Sequence, residues 1–481
     1  MKIVFAASEA APFLKTGGLG DVAEALPRAL SDLAGNEVAL FLPYYKKIKY
    51  NPEIKADFIK SFSVDLSWRR QHVGVFRLHS RRRKLQVYFL DNDYYFGGRD
   101  SIYGDADDGE RFAYFSKAVL QTLCELNMQP DILHCNDWQT ALIPVLLRAF
   151  YQQPLGQAKT VFTIHNIEYQ GKADPYFLGD MLALPPSYRN TMMYDDCVNF
   201  MKGAILMTDA LTTVSRSYAQ EIRYPYYAHG LAPVIEEHAF KLSGVVNGIN
   251  TTSNDPNTDP ALWANYDVLT AREGKSQNKA ALQQWLGLPV RQDAAMIGMV
   301  SRLVTHKGMD LVCEALEELS HWQVQVVLLG TGDAVYEQRL RSCAERHPDK
   351  IALRLCFDSA LASRIYAASD LYLMPSKSEP CGLSQLIAMR YGAIPVVHKT
   401  GGLADTVLPF NPETQQGTGF DFQQYHVGDM LDALRRALSL YGGDPPAFGR
   451  LIQNAMKRDS SWRVPAGEYN QLYCALTGRG E

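Results

Sequence analysis

The chain has 481 residues, of which 47% are hydrophobic and 21% charged, a balance that excludes intrinsic disorder in a chain too long for one core. A formal net charge of −4 gives no global basic field to draw it to nucleic acid or anionic lipid, and no apolar run reaches the roughly 18 residues of a membrane span. Eight cysteines, at 124, 135, 197, 313, 343, 356, 381 and 474, form no C-x-x-C pair, which argues for reduced thiols in the cytoplasm and against a disulfide framework or a zinc site.

The opening MKIVFAASEAAP has a charged start and an apolar run, but Glu9 ends that run after about five residues, short of a signal segment. It is read as a first strand. KIVFAAS, VALFLP, LQVYFL, DILHCN, TVFTIH and ALTTVS are short, apolar and rich in β-branched or aromatic residues, as strands buried on both faces are. GDVAEALPRALSDLA and DGERFAYFSKAVLQTLCEL are helical stretches between them, and this alternation implies a parallel sheet covered on both sides. The basic run Arg81 to Lys84 leads into LQVYFL and reads as a solvated hairpin face.

After Asn247-Gly248 the stretch TTSNDPNTDP reads as a linker with no core-forming residues. AMIGMVSR, VQVVLLG, ALRLCF, LYLMPS and AIPVVH then repeat the strand pattern. Two doubly wound α/β domains meeting near residue 250, with a cleft between them, are therefore expected. In such sheets ligands bind beyond the carboxyl ends of the strands, so the loops there are where chemistry is sought.

Two of those loops nearly repeat: KTGGLGD from Lys15 to Asp21 and KTGGLAD from Lys399 to Asp405 share six of seven letters. In the first, Gly17 and Gly18 let backbone amides approach an anion at a helix start, with Lys15 adding charge; a plain tight turn explains the same letters equally well. SRLVTHKG sets Arg302 and Lys307 just after a strand, a pair suited to a diphosphate, although two surface bases give the same spacing. In LYLMPSKSEPCGLSQLIAM, Glu379 precedes a helix starting near Gly382, and the amides of Cys381, Gly382, Leu383 and Ser384 could hold phosphate. Asp137 in DILHCNDW, and His165 and Asn166 in TVFTIHNIEYQG, end two strands of the first domain. The D-x-D triplets Asp91-Asn92-Asp93 and Asp105-Ala106-Asp107 match a metal-diphosphate pattern, but three letters arise easily by chance and no metal is expected.

In order, KTGGLGDV, HCNDWQTAL, FTIHNIEYQG, NGI, SRLVTHKGMDL, SEPCGLSQL and KTGGLADTV span the chain from 15 to 407. Together they make it resemble the bacterial glycogen synthases and plant-type starch synthases, retaining glucosyltransferases with two Rossmann-like domains facing a central cleft (GT-B type). The resemblance implies an acceptor-side domain over 1–248, to which a terminal helix within 460–481 crosses back, and a nucleotide-sugar-binding domain over 249–459. It implies transfer of glucose from ADP-glucose, or UDP-glucose, to the non-reducing end of an α-1,4-glucan or malto-oligosaccharide, without a cofactor.

By the same resemblance Lys15, Gly18 and Asp21 belong to the donor loop, and Arg302 and Lys307 hold the diphosphate with the turn from Cys381 through Ser384. Glu379 would bond glucose hydroxyls, while His165, Asn166, Asp137 and Asn247 would line the sugar and acceptor side. Thr400 and Gly401 would meet the diphosphate from a second glycine turn, and Phe357 would stack on the base where the family usually has Tyr. No nucleophilic carboxylate is assigned, because the leaving phosphate itself is expected to help deprotonate the acceptor. The segment after the NG turn departs from the family at Asn250 and at Asn254-Asp255-Pro256. The alternatives are a related transferase with a small sugar acceptor and a catalytically silent glucan-binding relative; a phosphorylase would need pyridoxal phosphate.

Overall fold

Short strands whose residues are apolar on both faces can be buried only between helix layers. The computed structural model, which describes residues 1–80 and 82–479, builds two such layered units. One is Met1–Asn247 joined by the segment from Trp462 onward; the other is Gly248–Ser461.

In the first unit the strands are β1 (Lys2–Ala6), β2 (Glu37–Pro43), β3 (Ala56–Leu66), β4 (Arg69–Leu78), β5 (Leu85–Asp91), β6 (Ile132–Asn136), β7 (Lys159–Ile164), β8 (Lys172–Ala173), β9 (Met193–Tyr194), β10 (Cys197–Asn199), β11 (Ala210–Thr213) and β12 (Leu242–Gly244). The main sheet runs β12-β11-β7-β6-β1-β2-β5-β4-β3, and β8, β10 and β9 form a small separate sheet. Strand order reverses beside β1, which pairs in parallel with both β2 and β6, so the loops after β1 and β6 open next to each other.

The expectation of a wholly parallel sheet is corrected here. β3 pairs antiparallel with β4, and β4 antiparallel with β5. The reason lies in β3, ADFIKSFSVDL, which keeps exposed residues along much of its length, so this edge faces water and can close with a tight turn at Ser67 and Trp68. Arg82 to Lys84 lie in the β4–β5 connection, as a hairpin reading requires, while Arg81 lies outside the described residues.

The second unit contains β13 (Ala295–Val300), β14 (Val324–Leu329), β15 (Ile351–Arg354), β16 (Leu371–Met374), β17 (Ile394–His398) and β18 (Phe420–Phe422). Their order is β15-β14-β13-β16-β17-β18, parallel throughout. The chain leaves β13 toward one edge and returns at β16 on the other side of it. That reversal sets the loops after β13 and β16 side by side.

A second correction concerns TTSNDPNTDP, which is an ordered part of the second unit. Asp255 pairs with Arg390 at 3.1 Å, and the buried Asp259 accepts a 2.6 Å hydrogen bond from the Tyr391 hydroxyl. Asn, Asp and Pro mark loops, but the same side chains close turns and accept bonds from a core surface. The helix Arg463–Thr477 belongs to the first unit, where Asn470 accepts a 2.9 Å bond from Asn36. All eight cysteines are free thiols, and among the described residues no helix is long and apolar enough to cross a membrane.

Candidate active-site residues

In the first unit the loop after β1 carries Lys15 to Gly18, all exposed, and leads into the helix Gly18–Asp32. Its support is Glu9, a residue that sequence reasoning used only to end an apolar run. Glu9 Oε2 accepts bonds from Thr16 N (2.7 Å) and Thr16 Oγ1 (2.6 Å), and Oε1 accepts one from Gly20 N (3.1 Å). The carboxyl is 3% exposed, and burial raises its pKa against the lowering effect of these donors. Lys15 folds back to Asp21, with Nζ 2.7 Å from the carboxylate, and both side chains are well exposed. The signal for Glu9 was its place at a strand's carboxyl end.

The loops after β6 and β7 bring Asp137, His165 and Asn166 together. Asp137 Oδ1 accepts from His165 N at 2.7 Å and Asn166 N at 3.3 Å. Asp137 itself sits at φ +57°, ψ 179°, a region non-glycine residues rarely occupy, so the turn is held against a steric cost. Burial pushes its carboxyl up to about 7.

Asn136 Nδ2 donates to Ala6 O at 3.1 Å, which fixes the amide so that Oδ1 faces His165 Nε2 at 2.9 Å. His165 therefore carries its proton on Nε2 and presents Nδ1 as an acceptor. Burial lowers its pKa to about 3, so the ring is neutral at physiological pH. Beneath it, His134 bridges Tyr473 OH and Thr163 Oγ1, each at 2.6 Å, which ties the terminal helix to the strand ends. Asn247 is buried, and its Oδ1 has no partner among the described residues.

In the second unit the switch point unites residues 72 positions apart: Lys307 Nζ lies 2.8 and 2.6 Å from the two oxygens of Glu379. Ser376 Oγ donates to Glu379 Oε2 at 2.9 Å, and Lys377 N donates to His306 O at 2.9 Å, clamping the two loops together. Arg302 is exposed and makes no ion pair among the described residues.

The helix expected near Gly382 begins two residues later, as Ser384–Arg390, because Gly382 has φ +72° and Leu383 takes the cap position. Cys381 is buried, and its backbone packs on the second glycine loop: a Cβ on Gly402 would lie 2.1 Å from Cys381 O. Gly402 N donates to Glu379 O at 3.0 Å, with Thr400 and Gly401 buried beside it. Phe357 stands apart from this cluster in contact terms, 91% exposed in the loop after β15.

The D-x-D carboxylates are engaged by cations of the protein. Lys49 reaches Asp91 at 2.9 Å and Asp93 at 2.8 Å. Arg99 and Arg111 hold Asp105 at 3.1 and 3.0 Å, and Arg99 also holds Asp107 at 2.5 Å.

Comparisons with known proteins match these two units in turn. Residues 2–237 match the family described as Starch synthase catalytic domain, and residues 287–458 match Glycosyl transferases group 1. The glycogen synthase of Exiguobacterium sibiricum is 47% identical over 479 residues, 98% of each chain, and that of Clostridium acetobutylicum 46% over 481 residues, 99% of this chain and all of the other. Among solved structures, the catalytic domain of Starch Synthase IV from Arabidopsis thaliana, bound to ADP and acarbose, superposes with a TM-score of 0.91 at 36% identity over 99% of both chains. Sucrose-phosphate synthase from Thermosynechococcus elongatus, at 18% identity and a TM-score of 0.61, shares the fold. The chain belongs to the glycogen and starch synthase family and is a glucosyltransferase of the GT-B fold.

Proposed function

We propose that the donor is ADP-glucose, the acceptor the non-reducing 4-OH of an α-1,4-glucan, and that the anomeric configuration is retained. The observation that carries this reading is the Lys307–Glu379 pair at the reversal between β13 and β16, beside an exposed Arg302, in a chain 36% identical to a synthase bound to ADP and acarbose. Loss of a nucleoside diphosphate develops negative charge, which Arg302 and Lys307 are suited to stabilise. As Lys307 turns to the phosphate, Glu379 is released to accept bonds from glucose hydroxyls. The amides from Gly382 to Ser384, next to Cys381, add donors to the same anion. Thr400 N is taken by His398 O at 2.9 Å and Gly402 N by Glu379 O at 3.0 Å, so the Thr400-Gly401 turn serves by holding the Glu379 loop. Phe357 offers an uncovered ring for the base.

On the first unit, Lys15 and the amide of Gly18 serve the donor, with Asp21 holding Lys15 in readiness. Neutral His165 accepts a sugar hydroxyl on Nδ1, and Asn166 and the orphaned Oδ1 of Asn247 serve the same purpose. Asp137 positions this turn through its bonds to two backbone amides rather than attacking the sugar. No nucleophile is assigned; the departing phosphate takes the acceptor proton. Eight unpaired thiols suit a reducing, cytoplasmic setting.

The test is elongation of a malto-oligosaccharide by purified protein given ADP-glucose or UDP-glucose. Alanine at Lys307 strands the buried Glu379 carboxylate, and alanine at Glu379 leaves the half-buried Lys307 without an acceptor, so Glu379→Gln, which keeps one acceptor oxygen, is the cleaner variant. Stepwise elongation, faster with ADP-glucose, is expected, with a loss of at least about 1,000-fold in Glu379→Gln at unchanged circular dichroism. Near-normal transfer by that variant would sink the site assignment, and faster use of UDP-glucose would overturn the donor.

A further inference from the structure

The cysteine spacing alone speaks against a zinc site, but the fold assembles a mixed ligand set from two packed helices of the second unit. On the helix Met309–Ser320, Glu317 and, one turn on, His321 at its C-cap share a face; on the helix Ala334–Arg346, Cys343 and His347 at its C-cap do the same. A carboxylate oxygen of Glu317, the Cys343 sulfur and a ring nitrogen of His347 all lie within 4.8 Å of one another. The His321 ring centroid is 6.5 Å from that of His347.

We propose that Glu317, Cys343 and His347 bind a divalent cation of the zinc class, with His321 or water completing a tetrahedron. Thiolate, imidazole and carboxylate are the ligand types zinc takes, at about 2.0 to 2.3 Å, so the three atoms need only a short convergence around the ion. Geometry assigns the individual atoms. Glu317 Oε2 is held by Arg346 at 2.8 Å, while Oε1 faces His347 Nε2 at 3.1 Å. An ion entering between Oε1 and Nε2 leaves the arginine in place to orient the carboxylate from behind.

Binding breaks the Cys343 S–H bond, forms an S–metal bond and releases one proton to solvent, with no change of oxidation state. The thiolate and carboxylate charges then balance the dication. Because binding releases that proton, uptake strengthens as pH rises. The ion would tie the far ends of the two helices together, the first of which begins immediately after Lys307 and Gly308.

The experiment uses the metal-stripped full chain titrated with Co²⁺ at neutral pH. One ion per chain with a thiolate-to-cobalt charge-transfer band, displaced by Zn²⁺, is expected. Cys343→Ser should abolish the band, and His347→Gln or Glu317→Gln should weaken binding by at least about tenfold. Cys356→Ser, which alters an exposed thiol elsewhere, should leave it intact. Absence of the band, its survival in Cys343→Ser, or full-strength binding by His347→Gln would each overturn the proposal.

Discussion

Residues 15–21 and 399–405 differ in one letter, Gly20 against Ala404, yet they are shaped by different demands. In the first loop Lys15 to Gly18 are exposed, and a Cβ on Gly17 would come no nearer than 4.0 Å to Glu9 Oε1. Packing does not require that glycine. In the second loop Thr400 to Leu403 are buried, and Gly402 is pressed against the backbone of Cys381. The first loop leaves Gly17 open to solvent, while in the second Gly402 lets two loops of the fold touch. The lysines follow suit: Lys15 turns back to Asp21, and Lys399 turns out to Asp421 at 3.5 Å.

The largest expected effect of this contrast is at Gly402. A methyl there would meet Cys381 O at 2.1 Å and Cys381 Cα at 2.3 Å, both backbone atoms that cannot swing aside. Gly402→Ala should lose about 3 kcal/mol or more in denaturant unfolding, and by shifting the loop that carries Glu379 should also depress transfer. Gly17→Ala should stay within about 0.5 kcal/mol of the parent. Equal destabilisation by the two variants would break the comparison.

The strands of both parallel regions were legible because residues buried on both faces leave a continuous apolar run, as in VQVVLL and IPVVH. The β3–β4 hairpin was not, since its alternating exposure resembles a loop in a polar segment. TTSNDPNTDP was misread for a related reason: Asp259 works as an acceptor for Tyr391, a partner 132 positions away that composition does not reveal. The site divides along the same line. Arg302, Lys307 and Glu379 could be singled out from loop positions, but the bond between Lys307 and Glu379 exists only because β16 returns beside β13. Glu9 was overlooked because a lone carboxylate in sequence carries no sign of the three donors that converge on it.

Glu9 supplies the next effect in size. Both of its oxygens accept bonds, so Glu9→Gln must turn an amide N–H₂ toward either Thr16 or the Gly20 amide. One donor then lacks an acceptor, at a cost of about 1 to 2 kcal/mol. The variant should unfold at lower denaturant and bind donor more weakly, since the same bonds shape the loop that presents Lys15. In the second loop a main-chain oxygen, Glu379 O, takes the Gly402 amide at 3.0 Å.

The smallest effect isolates the one differing letter. A Cβ on Gly20 would come within 3.0 Å of Lys15 Cβ and Cγ, the atoms that cross above it on the way to Asp21. Lys15 Cβ is fixed by the backbone and Lys15 Cα lies 3.3 Å away, so the loop at Lys15 must give by a few tenths of an ångström. Gly20 lies in the first turn of the helix Gly18–Asp32, without a left-handed φ, where alanine is favoured over glycine by up to about 1 kcal/mol. The propensity gain and the steric cost oppose each other, so Gly20→Ala should stay within about 1 kcal/mol of the parent in stability while raising the KM for donor severalfold, up to the roughly tenfold expected of Lys15→Met, a change worth about 1.4 kcal/mol. A double variant carrying both substitutions should be no worse than Lys15→Met alone, because both act through the position of one ammonium group. Additive losses in KM would mean that Gly20 meets the donor by its own backbone, and the distinction between the two loops would then rest on more than the direction of a lysine.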